Sequence, residues 1–187
     1  MNRLVLAVIL TSLLDAADWP TFRGRNSSGL APDTNLPEFA PGKFELWKTP
    51  LPPGHSSPVI VGRRIYLTAV EDEKLFTFAL DRESGKILWR REAPRPRRQV
   101  MQPANSPAAA SAASDGRNVY VFFHDYGLLA YGPDGEDKWQ VPLGPFNNPM
   151  GHGATPVLAG KTLLLPCDQE SGSFLVEIGR ASCRERV

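Results

Sequence analysis

A repeat with a period of 49 residues constrains this chain more than any other feature. A hydroxyl residue followed by a proline recurs at Pro58, Pro107 and Pro156, and each copy is followed by a glycine-containing turn and a β-rich run. Self-similarity at a period of about 40–50 residues indicates repeated units that each pack on the next one. The three β-rich runs are 65–68, 119–122 and 162–165.

The first two units each contain four short β-rich runs, and the last run carries a tryptophan, Trp89 or Trp139. Four short strands per repeat are typical of a β-propeller blade. A bulky indole at one fixed place in each blade fills the wedge between adjacent sheets. The third unit keeps the pattern through 174–176. The expected fold class is therefore all-β: a partial β-propeller of four-stranded antiparallel blades, with about two complete blades and part of a third.

Two segments are assigned by their place in the repeat. The segment 47–51 resembles the last run of a blade, with no blade of its own before it, so residues 18–54 are expected to form an N-terminal segment with a closing strand. The alanine-rich run 108–113 fits an innermost strand, where small side chains permit close approach. A short helix is the alternative for this run, because alanine has the highest helix propensity.

The two ends of the chain are expected to lie outside the propeller. The chain starts with a basic residue, continues with an apolar run and then has small residues, a pattern that predicts a signal peptide over residues 1–17. Cleavage is expected near Ala16 or Ala17. The protein is therefore expected to be exported, either periplasmic or secreted. A buried N-terminal helix is the alternative. The last ten residues, IGRASCRERV, resemble an in-frame translation of a sequencing adapter. Truncated propeller repeats are therefore expected over 55–177, followed by an artefactual tail over 178–187.

Charge and cysteine content narrow the function classes. The formal net charge of +1 gives no global attraction to nucleic acid or to an anionic membrane. The N-terminal apolar run is too short to span a bilayer. Five arginines between 90 and 98 form either a polyanion patch or a solvated loop between blades, and the near-neutral charge favours the loop. Outside the tail, Cys167 is the single cysteine, and it is either a buried apolar filler or half of a disulfide.

The string ALDRESGKILW, residues 79–89, resembles the tryptophan-docking repeat of quinoprotein-type propellers, A-x-D-x-x-T-G-x-x-x-W. Only Ser84 departs from it, with a hydroxyl in place of threonine. The second copy is one residue shorter and has Gly132 in place of the aspartate. The opening ADWPTFRGRNSSG, residues 17–29, is similar to the start of exported bacterial PQQ-binding-like β-propeller repeat proteins. The resemblance implies structural roles for the docking residues Trp47, Asp81, Ser84, Gly85, Trp89 and Trp139.

The candidate ligand-binding residues precede the inner strands of the three units. They are His55, Gln102, Asn105 and His152. Loops that enter successive inner strands are expected to meet at one mouth of the propeller channel, where a binding site forms. Imidazole groups there could bind a metal or an anion. Hydrogen bonding to the neighbouring blade is the alternative, and it is favoured because the histidines lack metal-ligand spacing. No catalytic residue and no metal ligand is assigned.

Two functions fit these observations. The first is an exported, non-catalytic binding or scaffold protein, with a protein or small-molecule partner at the propeller face, no nucleic-acid partner and no membrane span. The alternative is a PQQ-dependent alcohol or sugar dehydrogenase whose active site lies in missing sequence. The resemblance implies PQQ, calcium, a catalytic aspartate and an adjacent-cysteine disulfide for that class. The sequence has no Cys-Cys pair and no Asp/Glu/Asn cluster with ligand spacing, so no cofactor is visible.

Overall fold

The computed structural model of the chain describes residues 17–31 and 44–180, together with the backbone of 185–186. The predicted signal peptide, apart from Ala17, lies outside the described residues, and so do residues 181–184 and 187 of the predicted tail. The sheets, cores and contacts of the protein are those of the described residues.

The described strands form three antiparallel sheets, in each of which the spatial order follows the chain order. The first blade contains β1 (Val59–Val61), β2 (Arg64–Glu71), β3 (Lys74–Asp81) and β4 (Ile87–Ala93). The second contains β5 (Ala113–Ser114), β6 (Val119–Phe123), β7 (Gly127–Tyr131) and β8 (Asp137–Pro142). The third contains β9 (Val157–Ala159), β10 (Thr162–Cys167), β11 (Phe174–Gly179) and β12 (Glu185–Arg186).

These sheets confirm the predicted fold class, a partial β-propeller of four-stranded antiparallel blades. The set of sheets is open, because the first and third blades lie at its two ends and do not close a ring. The predicted β-rich runs 65–68, 119–122 and 162–165 lie inside β2, β6 and β10. Each of these strands follows a turn whose glycine has a positive φ, a conformation that suits tight hairpins.

The buried side chains of β3 alternate between its two faces. Leu75 and Ala79 belong to the apolar core shared with the second blade. Phe76 and Phe78 belong to a separate core on the opposite face, against which Trp47 packs. Successive side chains of a strand point to opposite faces of the sheet, so a continuous apolar run is buried on both sides. The first blade is therefore covered by the second blade on one face and by the segment that contains Trp47 on the other.

The second blade is buried between its two neighbours by the same alternation. Val119, Val121 and Phe123 of β6 pack into the core shared with the first blade. Tyr120 and Phe122 pack into the core shared with the third blade. All five residues of this strand are fully buried. The second blade therefore fixes the relative positions of the three sheets.

The structure differs from the prediction at two segments. Residues 47–51 form no strand, because no strand in the described part of the chain pairs with them. In the alanine-rich run, only Ala113 pairs as part of β5, and no helix forms. The carbonyl groups of Ala108 and Ala110 instead accept hydrogen bonds from the Thr68 hydroxyl at 3.4 Å. The run therefore turns toward the first blade instead of extending the edge of the second.

Three tryptophans join each unit to the next one. Each indole Nε1–H donates to a backbone carbonyl in the turn region that follows the third strand of the next blade. The donor–acceptor pairs are Trp47 with Arg82 at 3.0 Å, Trp89 with Pro133 at 2.8 Å and Trp139 with Arg180 at 3.1 Å. Trp47 therefore makes the same contact as the other two, although its segment forms no strand.

The turn under Trp47 is held by the residues of the docking repeat. The Asp81 carboxylate accepts hydrogen bonds from the Ser84 hydroxyl at 2.7 Å and from the Ser84 backbone N–H at 2.8 Å. Both bonds lower the pKa of Asp81, and the bond from the hydroxyl has the larger effect. Gly85 has a φ of 69°, and a Cβ added there would lie 2.4 Å from the Trp47 ring. The glycine is thus needed both for the turn and for the close approach of the indole.

We expect Gly85→Ala to destabilise the protein by about 1–3 kcal/mol more than Gly62→Ala, the usual cost of overpacking. Gly62 is the matched control, because its φ is 54° and a Cβ added there meets nothing within 4 Å. Both substitutions carry the strain of a positive φ, so their difference isolates the contact with Trp47. Urea unfolding followed by tryptophan fluorescence measures it. Equal losses for the two variants would show that the Trp47 contact contributes nothing.

Candidate functional site

The inner ends of the three blades meet the N-terminal segment at an open cleft of about 440 Å³. The cleft is lined by residues that lead into the inner strands, by residues of the N-terminal segment and by two residues of the third blade. They are Thr21, Phe22, Ser27, His55, Ser57, Ala109, Ser111, Gly153, Ala154, Thr155, Val157 and Pro166. The cleft is therefore lined by residues that lead into, or belong to, each of the three blades.

Backbone hydrogen bonds fix the N-terminal segment beside this cleft. Trp19 and Ile60 exchange both of their N–H···O bonds, at 2.7 and 2.9 Å. The Pro20 carbonyl accepts a hydrogen bond from the Ser114 N–H at 2.8 Å. The segment thus spans the inner strands of the first and second blades, and the next two residues, Thr21 and Phe22, come to line the cleft.

Hydrogen bonds between blades also hold the floor of the cleft. The Ser57 N–H donates to the Ser111 hydroxyl oxygen at 2.9 Å, and the His55 N–H donates to the Ala108 carbonyl at 3.1 Å. These bonds join the loops that enter β1 and β5. The floor of the cleft is therefore preorganised by these hydrogen bonds, which lowers the entropic cost of binding a ligand there.

The surface of the cleft is mainly apolar and carries several polar groups. Serine and threonine hydroxyls and the His55 imidazole supply hydrogen-bond donors and acceptors, while no carboxylate, lysine or arginine is among the described residues that line it. Phe22 is 49% exposed and provides an aromatic surface beside the polar groups. This combination suits a neutral ligand that presents both polar groups and an apolar face.

The four predicted ligand-binding residues do not converge on one site. His55 lines the cleft, whereas the His152 side chain is buried away from it. The Gln102 N–H donates to the Pro149 carbonyl at 2.8 Å, and the Asn105 amide donates to the Met150 carbonyl at 2.7 Å. Gln102 and Asn105 therefore bind the loop that leads into the third blade, as in the alternative of hydrogen bonding to a neighbouring blade.

His124 is the partner of His152, and the repeat pattern did not point to it. Its ring nitrogen Nδ1 accepts a hydrogen bond from the His152 backbone N–H at 3.1 Å. Burial lowers the pKa of both histidines, and the proximity of His124 lowers that of His152 further. His124 lies at the tip of the β6–β7 hairpin and precedes no inner strand. The one signal in the sequence was a polar His-Asp pair inside an otherwise apolar stretch.

Asp125 anchors the arginine-rich connector between the first and second blades. Its carboxylate is completely buried and accepts hydrogen bonds from Arg95 Nε at 2.7 Å and from the Gln99 N–H at 3.0 Å. Arg97 donates to the carbonyl groups of Tyr126 and Leu143. The arginines were expected to form either a polyanion patch or a solvated loop. In the structure, Arg95 and Arg97 instead attach the connector to the second blade through hydrogen bonds.

Metal-ligand side chains do not cluster in the described part of the chain. No group of three or more His, Cys, Asp or Glu side chains with metal-binding geometry occurs in the described ranges 17–31 and 44–180. Cys167 is buried, and burial raises the pKa of its thiol to about 11. The described part of the chain contains no helix long and apolar enough to cross a membrane.

Solved structures with the same fold include a methanol dehydrogenase and a quinohemoprotein alcohol dehydrogenase. A europium-containing methanol dehydrogenase superimposes with a TM-score of 0.54 at 14% identity, over 71% of this chain and 24% of that one. Quinohemoprotein alcohol dehydrogenase ADHIIG from Pseudomonas putida HK5 superimposes with a TM-score of 0.55 at 17% identity, over 72% of this chain and 20% of that one. BamB from Moraxella catarrhalis superimposes with a TM-score of 0.48 at 18% identity, over 71% of this chain and 35% of that one. This chain thus matches about a fifth to a third of each structure.

No curated protein matches the chain. The profile of a protein family described as outer membrane protein assembly factor BamB matches residues 40–177, which is most of the chain and ends within the third blade. The quinoprotein-type resemblance predicted from the docking repeat is thereby confirmed. The chain belongs to this family of PQQ-like β-propeller repeat proteins.

Proposed function

We propose that this protein is an exported, non-catalytic β-propeller that binds a partner in its inner cleft. The observation that carries the proposal is the lining of the cleft, which combines hydroxyls, one imidazole and an exposed aromatic ring and has no carboxylate. Its volume of about 440 Å³ falls within the range of about 300–1,000 Å³ that is usual for ligand sites. Export rests on the signal peptide predicted over residues 1–17.

A polypeptide is the partner that this chemistry and the family favour. The family description names an assembly factor for outer membrane proteins, whose strands alternate apolar and polar residues. An extended, uncharged segment of that kind could place its polar side chains against Ser57 and Thr155 and an apolar one on Phe22. Peptide groups of the segment would find further donors and acceptors in the hydroxyls of the cleft.

A quinoprotein dehydrogenase is the alternative, and the fold shared with two alcohol dehydrogenases favours it. Calcium prefers carboxylate and carbonyl oxygens, and a calcium-bound quinone would need such ligands around the cleft. Among residues 17–31 and 44–180, no carboxylate lines the cleft. The alternative therefore requires its cofactor ligands from residues other than those lining this cleft.

The proposal predicts that the protein binds fluorescently labelled, uncharged peptides of alternating valine and threonine. Phe22→Ala should weaken this binding about fivefold or more, because truncating a central aromatic contact commonly costs over about 1 kcal/mol. His55→Ala should weaken it as well. Phe174→Ala is the matched control, because Phe174 is also partly exposed, at 36%, but lies outside the cleft. Fluorescence anisotropy gives the dissociation constants.

Two results would count against this proposal. Binding that does not saturate, or that weakens equally in Phe22→Ala and Phe174→Ala, would remove the cleft as the binding site. Dye-linked alcohol oxidation after addition of PQQ and calcium would favour the dehydrogenase, whereas the proposal expects no turnover.

A further inference from the structure

Two histidines lie together in the interior, at the junction between the second and third blades. His124 is at the tip of the β6–β7 hairpin, and His152 is in the loop that leads into β9. Their exposed fractions are 1% and 4%, and their ring centroids are 6.5 Å apart. The two imidazoles therefore belong to different units but share one buried environment, separate from the cleft.

The hydrogen bonds at this junction require neutral imidazoles. His124 Nδ1 accepts from the His152 backbone N–H at 3.1 Å, and His152 Nδ1 accepts from the Ala154 N–H at 3.5 Å. An imidazole nitrogen accepts a hydrogen bond only while it carries no proton, and both ring nitrogens of an imidazolium are donors. Protonation of His124 would thus place a hydrogen against the His152 N–H and break the bond that joins the two units.

The surroundings offer little to stabilise an added charge. The aromatic ring of Phe146 lies 5.7 Å from the His124 ring and 5.1 Å from the His152 ring, and Phe122 lies 5.0 Å from His152. Both Nε2 atoms are buried and have no hydrogen-bond partner in the part of the chain that the structure describes. A charge in such an environment loses its hydration without a compensating contact.

The charged groups that face the pair do not reverse this effect. Arg97 disfavours a cation at His124, whereas Asp125 favours one. The Asp125 carboxylate, however, is already paired with Arg95 at 2.7 Å. At His152, Asp168 favours the cation and His124 opposes it. Burial is the largest influence on each histidine and lowers the pKa of both.

We propose that His124 and His152 form an acid-sensitive latch between the second and third blades. The latch is closed while both imidazoles are neutral, and protonation of His124 Nδ1 releases the loop that contains His152. This proposal is independent of the partner proposed for the cleft. Because folding depresses the pKa of both histidines below the ordinary value of 6.5, the latch is fully stabilising above that pH. Its contribution is lost as the pH falls through the folded-state values.

Hydrogen exchange of the His152 amide tests the latch in the unaltered chain. Protection, corrected for the intrinsic exchange rate at each pH, should fall between pH 7.5 and 5 by up to about tenfold per pH unit for each proton taken up on opening. The amide of Val121 in the buried strand β6 is the internal reference and should lose less protection. Protection of His152 that stays constant over this range, or that falls only in step with Val121, would overturn the proposal.

Substitution separates the titration from the hydrogen bond. In His124→Asn, the amide oxygen can take the place of Nδ1 as an acceptor, but it does not titrate. The pH dependence of His152 protection should therefore become shallower, by up to about tenfold per pH unit, and keep only the part that His152 itself contributes. His55→Asn is the matched control, because His55 is the one other histidine and is exposed. It should keep the wild-type pH dependence. An unchanged pH dependence in His124→Asn would overturn the latch. If that variant does not fold, the exchange measurement on the unaltered chain decides the question.

Discussion

Trp89→Ala is expected to lower the free energy of unfolding by about 3–5 kcal/mol, the range for truncating a buried tryptophan. The indole is 8% exposed and lies between Tyr66 and Tyr131, with ring centroids 5.9 and 5.8 Å away. It also donates to the Pro133 carbonyl at 2.8 Å. Its removal therefore opens a cavity at the boundary of two blades and leaves a carbonyl without its donor. Urea unfolding followed by circular dichroism gives the loss.

Two further variants show which part of the Trp89 contact matters. Trp89→Phe retains an aromatic ring but cannot donate to Pro133, so we expect a smaller loss than for alanine. Leu88→Ala changes the preceding residue, which is 48% exposed, and should alter stability by no more than about 0.5 kcal/mol. If Trp89→Ala cost no more than Leu88→Ala, the indole could not be the wedge between the blades.

Asp125→Asn is expected to destabilise the protein by about 3 kcal/mol, because removing one partner of a buried ion pair leaves the other charge without compensation. The Asp125 side chain is fully buried, and that of its partner Arg95 is 13% exposed. The substitution also weakens the acceptor for the Gln99 N–H. The connector from the first blade would then lose one of its attachments to the second. Urea unfolding measures the change in stability.

Glu73→Gln provides the matched control for this ion pair. Glu73 bridges Arg95 at 3.6 Å and Arg98 at 3.1 Å, but its side chain is 62% exposed. Exposed ion pairs contribute only about 0–1 kcal/mol, so its loss should be small. Similar losses in Asp125→Asn and Glu73→Gln would mean that burial of the pair with Asp125 has no energetic consequence.

The strands were predictable because their determinants are local. The runs 65–68, 119–122 and 162–165 combine β-rich composition with a preceding glycine turn, and all three lie within strands. Trp89 and Trp139 were predictable because each lies four residues after the glycine of its turn, and Trp47 was predictable because residues 47–51 resemble the last run of a blade. Their hydrogen bonds to the next unit are consistent with the docking repeat from which their structural role was proposed.

Strand prediction was less reliable where a segment needs a partner from elsewhere in the chain. Residues 47–51 have the pattern of a closing strand, but the described residues provide no strand that pairs with them. The run 108–112 has side chains small enough for an inner strand, yet its carbonyl groups accept bonds from Thr68 in the first blade. Neither competing contact is visible in the local composition.

The site was predictable only in part. Repeat position placed His55 before an inner strand, and in the structure His55 lines the cleft. The same reasoning treated His152 as its equivalent. His152 differs because its loop packs under Phe146 and against His124, which lies 28 residues earlier in the chain. Equivalent positions in a repeat share a backbone path, but the side chains of neighbouring loops decide whether they face solvent or the interior.

The amino-acid sequence was enough to establish that this chain forms blades and that an indole joins each to the next, because strand alternation, glycine turns and a fixed tryptophan are properties of short segments. Which polar groups face the cleft and which lie in a dry junction depended on the packing of the blades. The bond between His152 and His124 and the ion pair between Arg95 and Asp125 join residues 28 and 30 positions apart. Their burial arises only when one blade excludes water from the loops of another.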